Sequence, residues 1–217
     1  MLLKKCCDWK KNSLFPPTTL TRRNKSKYYC VQRYKKNGRQ RTESQARYYF
    51  CDMERRKNLY LLTGSNLGNR EDFLLEACFS IAARVGSVVK VSALYQTQPW
   101  GISDQPDFLN QALLVKSNLS PLTVLDTVKQ IEKSMGRTTV LRWGERIIDI
   151  DILFYGKLVL ESPTLTIPHP RLHERNFALA PLAEIAPDFR HPVFGKTVAE
   201  LLAESLDPLE AVKLYQR

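Results

Sequence analysis

The sequence predicts an α+β fold, a mainly antiparallel sheet with helices packed on it, over residues 58–217. Three observations predict it. Apolar spacing alternates between period two and period 3.6 in the order strand, helix, strand, strand, helix, strand. Each helical run opens at a capping residue and stops at a glycine. A chain of 217 residues holds one globular core of ordinary size and rarely two.

Leu59-Tyr60-Leu61-Leu62 reads as a short apolar strand running into Gly64-Ser65-Asn66-Leu67-Gly68, a loop of turn formers. Asn69 is the expected N-cap, with Asp72 three residues on. Phe73, Leu74, Ala77, Ile81 and Val85 then recur at helical spacing until Gly86. Val88 to Tyr95 alternates as a strand and Phe108 to Val115 is the next, joined by a long loop from Thr97 to Pro106. Ser120 and Pro121 open a second helix as N-cap and first-turn proline, carrying Leu122, Leu125, Val128, Ile131 and Met135 before Gly136. Ile147 to Phe154 is a β-branched strand. This order is that of a ferredoxin-like β-α-β-β-α-β unit, and the residues after it predict C-terminal additions of short strands and a helix.

The formal charge of +11 suggests a polyanionic partner until its position is examined. Residues 1–52 hold 14 Lys and Arg against three acids, so residues 53–217 keep 19 of each sign and are neutral. No nucleic acid is needed to explain the domain's composition. Residues 1–57 form a basic extension without a sustained apolar period, and three readings of it stay open. It is a disordered segment, a mitochondrial presequence (against which Pro16 and Pro17 count, because they break a helical apolar face), or an RNA-binding arm. The expectation is that residues 1–52 are dispensable for folding and catalysis; a translation start at Met53 would remove them. Four of the five cysteines also lie before Met53, leaving Cys78 alone in the domain, and no Cys-x-x-Cys pair occurs. That usage fits a reducing compartment. No apolar run reaches the length of a membrane span or signal-peptide core, so the expected location is cytoplasmic, with no membrane partner.

The most informative stretch runs from Trp143 to Leu153. Strand residues two apart share a face, so Asp149 and Asp151 project together while Ile148, Ile150 and Ile152 line the opposite, buried face. Two adjacent carboxylates repel, and a hard divalent cation neutralises both; Mg²⁺ binds through one or two carboxylates plus substrate phosphates. Two solvent-facing aspartates are the blander reading. Against it stand Arg142, Trp143 and Arg146 immediately before, and the unsuitability of Asp for strands. No Gly-x-x-x-x-Gly-Lys-Ser/Thr loop is present, so a nucleotide would be held by metal and side chains. An RNA-recognition module shares the element order but requires a Lys/Arg-Gly-Phe/Tyr-Gly/Ala-Phe-Val-x-Phe/Tyr strand, which this chain lacks. A non-catalytic domain of the same fold has no use for paired aspartates beside arginines.

Taken together, Gly64 to Gly68, Gln98-Pro99-Trp100-Gly101, Asp104 to Asn110, Glu132 with Gly136-Arg137, Arg142 to Asp151 and Pro168-His169-Pro170-Arg171 resemble the hydroxymethyl-dihydropterin pyrophosphokinases. The motifs lie in family order across roughly three quarters of the chain. The resemblance implies transfer of diphosphate from ATP to the hydroxymethyl group of 6-hydroxymethyl-7,8-dihydropterin, giving AMP and the pterin diphosphate, in tetrahydrofolate biosynthesis. It implies two Mg²⁺ ions on Asp149 and Asp151, with ATP as co-substrate. Arg137, Arg146 and His169 are implied at the phosphates, Arg175 at the phosphate tail, and Glu132, Ile152 and Thr166 along the nucleotide. Phe108 and Phe177 are implied on the two faces of the pterin ring and Asn110 at its polar edge. Thr97, Pro99, Trp100, Ser65 and Asn66 complete that pocket, and Trp143 rides a closing loop. Other folate-pathway enzymes are implied as possible partners. The chain departs from the family where Lys129 replaces a common glutamine and Glu145 a common proline.

Overall fold

The computed structural model describes residues 56–99, 104–137 and 144–214, with two short strands ahead of them, β1 (Thr19–Arg22) and β2 (Tyr28–Val31). The chain divides into two units, Met1–Arg55 and Arg56–Arg217. In the first, β1 and β2 pair antiparallel with Thr19 opposite Val31. The readings made of the rest of this extension, and those of Trp100 and Trp143, lie outside the described residues.

In the second unit the elements follow the expected order. They are β3 (Lys57–Ser65), α1 (Arg70–Arg84), β4 (Ser87–Val91), β5 (Leu94–Thr97), β6 (Phe108–Ser117), α2 (Pro121–Ser134) and β7 (Asp149–Tyr155). The additions are a β8 (Leu160–Glu161) and β9 (Thr166–Ile167) hairpin, a 3₁₀ turn at Leu172–Glu174, α3 (Asn176–Ile185), α4 (Val198–Ala203) and β10 (Ala211–Leu214). The sheet runs β10-β5-β6-β3-β7 with β4 also beside β6, and its pairings are antiparallel. Counting β4 and β5 as one interrupted strand, the central order is the ferredoxin-like one, with the first strand between the third and the last. Among the described residues no helix is long and apolar enough to cross a membrane.

Alternation along the strands divides the core in two. Leu59, Leu61, Leu113 and Val115 meet Leu74, Ala77 and Ile81 of α1 and Val124, Val128 and Ile131 of α2. On the other face, Tyr60, Leu62, Ala112, Leu114 and Phe154 meet Ala178, Leu179 and Leu182 of α3 and Val198 and Leu201 of α4. The C-terminal additions therefore cover the face that a bare ferredoxin-like unit leaves open.

Four local expectations are corrected. The run from Val88 to Tyr95 is two strands, because Ser92 turns out of line. Its N–H donates to the Ala112 carbonyl (3.0 Å), its hydroxyl accepts the Ala112 N–H (2.9 Å), and its carbonyl accepts Gln111 Nε2 (3.0 Å). The buried stripe of α2 is Val124, Val128 and Ile131, spaced four and three; Leu122 points away and is 52% exposed. Asn69 stands at the N-cap of α1 without capping a backbone N–H; its amide donates to Asp72 at 2.5 Å. The last strand begins at Asp149, and a register shift opposite Tyr60 and Leu61 turns both Leu153 and Phe154 into the second core. Ser120 caps α2 as expected, accepting the Thr123 N–H at 3.2 Å.

Candidate active site

The site grows from one row of residues across the sheet. Gly64 on β3 faces Asp149 on β7 and Asn110 on β6, and Asn110 faces Tyr95 on β5. Two pairs further along, on the same face, Phe108 lies opposite Thr97, and Asn110 Nδ2 donates to Thr97 Oγ1 at 2.8 Å. Gly64 keeps the row open, since a Cβ there would come within 2.8 Å of Asn110 Oδ1. Asp149 and Asp151 share the open face, and Ile148, Ile150 and Ile152 are buried on the other.

Charge converges on Asp149. Arg137 donates to its Oδ1 at 2.7 Å and pairs with Glu132 at 2.5 Å, while Arg146 holds the other oxygen. Glu132, 7% exposed, also accepts the Ile150 N–H at 2.7 Å, so one buried carboxylate fixes both the arginine and the start of β7. Burial pushes the Glu132 carboxyl up, and the Arg137 guanidinium pulls it back. Asp151 lacks comparable compensation: burial first, then the Asp149 charge, raises its pKa to about 7. His169 is displaced the other way, to about 4, by burial and then by the Arg175 and Arg171 cations. It is therefore neutral at pH 7; Nδ1 accepts the Arg171 N–H at 3.3 Å, which leaves Nε2 as the ring's donor.

Two cavities meet here. The larger, about 750 Å³, lies between α2 and the β8–β9 hairpin and is lined by Glu132, Ile152 and Thr166 among others. The smaller, about 270 Å³, has Thr97, Phe108, Asn110, Arg175 and Phe177 in its walls. Arg137, Asp149, Asp151 and His169 belong to both. Arg146 lines only the smaller cavity. The guanidinium of Arg175 lies 5.3 Å from the centre of the Phe177 ring.

Some expected residues stand apart. Ser65 is fully buried, on the opposite side of β3 from Gly64, and does not line the smaller cavity. Asn66 is a staple: its N–H donates to the Arg146 carbonyl (3.1 Å), its Oδ1 accepts the Arg146 N–H (2.7 Å), and its Nδ2 reaches Gln105 and Pro106 (both 3.2 Å). Pro99 is likewise absent from the lining. Sequence reasoning missed Lys129 and Lys133 as walls of the larger cavity, and Gln98 and Gln105 of the smaller. The lysines were within reach, since they flank Glu132 on the same turn of α2.

An antiparallel sheet that sets a carboxylate pair, an arginine and a neutral histidine between two adjoining cavities, with a second arginine in the smaller, defines a phosphate-transferring enzyme. The comparisons agree. A sequence model of the 7,8-dihydro-6-hydroxymethylpterin-pyrophosphokinase (HPPK) family matches residues 60–187. The 2-amino-4-hydroxy-6-hydroxymethyldihydropteridine pyrophosphokinase of Bacillus subtilis is 45% identical over 127 residues, 58% of this chain and 76% of that protein. The folic acid synthesis protein fol1 of Pneumocystis carinii is 42% identical over 149 residues, 69% of this chain. This chain spans only 20% of that longer protein. Among solved structures, Plasmodium falciparum HPPK-DHPS with pteroate superposes with a TM-score of 0.56 at 19% identity, over 68% of this chain and 42% of that one, a likeness of fold. The chain belongs to the 7,8-dihydro-6-hydroxymethylpterin-pyrophosphokinase family, and its activity is ATP-dependent diphosphate transfer in folate biosynthesis.

Proposed function

We propose that the larger cavity takes ATP, that the smaller takes 6-hydroxymethyl-7,8-dihydropterin, and that the diphosphate crosses at their shared wall. The observation that carries this reading is that Asp149, Asp151, Arg137 and His169 line both cavities. The donor set suits Mg²⁺. Asp149 and Asp151 are hard oxygen ligands on one strand face, and the burial and, after it, the Asp149 charge that raise Asp151 are what a divalent cation would offset. Asp149 and Asp151 would hold two Mg²⁺ ions together with phosphate and water oxygens, as Mg²⁺ commonly binds through one or two carboxylates plus substrate phosphates. Bound there, the metal supplies charge neutralisation at the transferred phosphates.

The chain's own residues do the rest. Arg137 and Arg146 carry positive charge to the β-phosphate, where negative charge develops as the pterin oxygen attacks in line. Neutral His169 donates a hydrogen bond from Nε2 without adding charge, and Arg175 takes the phosphate tail. Glu132, Ile152 and Thr166 bound the nucleotide. Phe108 and Phe177 stack on the pterin faces while Asn110, held by Thr97, reads its polar edge. Asn66 acts on this pocket through the loops it ties together, Pro99, Trp100 and Ser65 are proposed to complete it, and Trp143 is proposed to close it against water. The test is AMP formation from ATP and the pterin alcohol in the presence of Mg²⁺, with neither substrate sufficient alone.

Phe108→Ala removes one face of the stack. Its pterin Kd is expected to rise roughly 10- to 100-fold, the scale of about 1–3 kcal/mol for one stacked ring. The Kd of a non-hydrolysable ATP analogue should stay within about threefold. Equal losses of both ligands would tell against the clamp.

The enzyme is further proposed to work in the cytoplasm, where Cys78 stays a free thiol, with other folate-pathway enzymes as neighbours. Residues 1–52 are proposed to be dispensable. A 53–217 chain is expected to match the full chain in melting temperature and turnover. A stability loss above about 1 kcal/mol, the size of a typical single-contact loss, makes the extension part of the enzyme.

A further inference from the structure

The helix that carries Phe177 does not cap itself. Arg175 stands at the N-cap of α3 and makes no side-chain capping bond. The backbone N–H of Asn176 donates instead to the carboxylate of Asp207 at 2.8 Å, from 31 residues further along the chain. The Asn176 side chain repeats the tie: its Nδ2 donates to the carbonyls of Asp207 (3.0 Å) and Leu209 (3.1 Å). The other Asp207 oxygen accepts the Leu209 N–H at 3.1 Å, which turns the segment towards β10. There Ala211 pairs with Thr97.

Asp207 to Ala211 thus spans from one wall of the smaller cavity to the other. At one end is the first turn of α3, with Arg175 and Phe177; at the other is the end of β5, with Thr97, which holds Asn110. Neither end touches the α2 side of the larger cavity.

We propose that Asp207 is a positioning residue for the pterin pocket: by capping α3 from the C-terminal segment it holds Phe177 opposite the Phe108–Asn110 wall. The inference rests on the reading of the smaller cavity as the pterin site. A carboxylate accepting a free N–H at the positive end of a helix suits this task, because it fixes the first turn while leaving the ring face open to ligand.

The experiment uses the full chain and compares Asp207→Ala, Asp207→Asn and, as a reference, Phe108→Ala. Pterin Kd is read by fluorescence, the Kd of a non-hydrolysable ATP analogue by calorimetry, and the melting temperature in parallel. In Asp207→Ala the pterin Kd should rise about tenfold, the scale of one lost cap, and the nucleotide Kd clearly less, because of the residues assigned to ATP only Arg175 adjoins the cap. Asp207→Asn keeps an acceptor oxygen for the Asn176 N–H and should recover most of the affinity. An Asp207→Ala variant that binds the pterin normally while Phe108→Ala does not overturns the inference and leaves the pocket reading standing. Phe108→Ala binding the pterin like the parent overturns both. Unfolding of Asp207→Ala, equal loss of both ligands, or failure of Asp207→Asn to recover would make Asp207 a general tether and overturn the positioning role.

Discussion

Asp151→Asn is expected to lower turnover by at least about three orders of magnitude, the several kcal/mol that a metal clamp supplies to a phosphoryl transition state. The same change should make the metal-free protein more stable at pH 8. The sign follows from linkage. The Asp151 pKa is about 7 in the fold against 3.8 ordinarily, so the unfolded chain releases this proton first as pH rises. Stability is therefore lost between about pH 4 and pH 7, and at pH 8 the whole penalty is present, on the order of a few kcal/mol. Asparagine does not ionise and escapes it. Asp149→Asn should abolish turnover equally but destabilise, because it weakens the hold of Arg137 and Arg146. Melting curves in EDTA at pH 5 and pH 8, with AMP assays in Mg²⁺, check both signs. Near-normal AMP production by either variant would sink the metal-bridge reading. An Asp151→Asn protein that melts below the parent at pH 8 would sink the strain argument.

Gly86→Ala is expected to destabilise by about 3 kcal/mol or more, a melting-temperature loss of roughly 6–12 °C for a domain of this size. A Cβ at Gly86 would lie 2.4 Å from the Lys116 carbonyl oxygen and 3.0 Å from both the Lys116 carbonyl carbon and the Ser117 Cα. All three atoms are backbone, so no side chain can swing aside. The place is also tied down: the Gly86 N–H ends α1 on the Ile81 carbonyl (3.2 Å), and Ser117 Oγ donates to the Val85 carbonyl (2.7 Å). Relief would require α1 to move off β6. Gly156→Ala is the control, with nothing within 4 Å of its added methyl and only a positive φ of 54° to strain it, about 1–2 kcal/mol. Gly86→Ala costing no more than Gly156→Ala would contradict the close-approach argument.

Much of this enzyme was legible in the chain because its strongest signals are local. Period two along Ile148 to Ile152 is enough to put Asp149 and Asp151 on one face, whatever the strand packs against. Ser120 before Pro121, and Gly86 and Gly136 after apolar runs, mark helix ends through backbone chemistry that needs no partner. The order of elements and the motif set from Gly64 to Arg171 followed from the same kind of reading.

What the fold alone decided depends on partners distant in sequence. Val88 to Tyr95 alternates like one strand, and only Gln111 and Ala112 of β6, by bonding Ser92 across the sheet, break it in two. Asn66 resembled a pocket residue by its motif, yet Arg146, Gln105 and Pro106 use its whole amide to join three loops. Glu132 sat at the margin of a helical stripe, and the Ile150 N–H and Arg137 are what make its burial tolerable. Periodicity determines which way a side chain points from its own element; which groups wait there to satisfy it is set by tertiary packing, because a buried polar group is stable only with partners that local sequence does not supply.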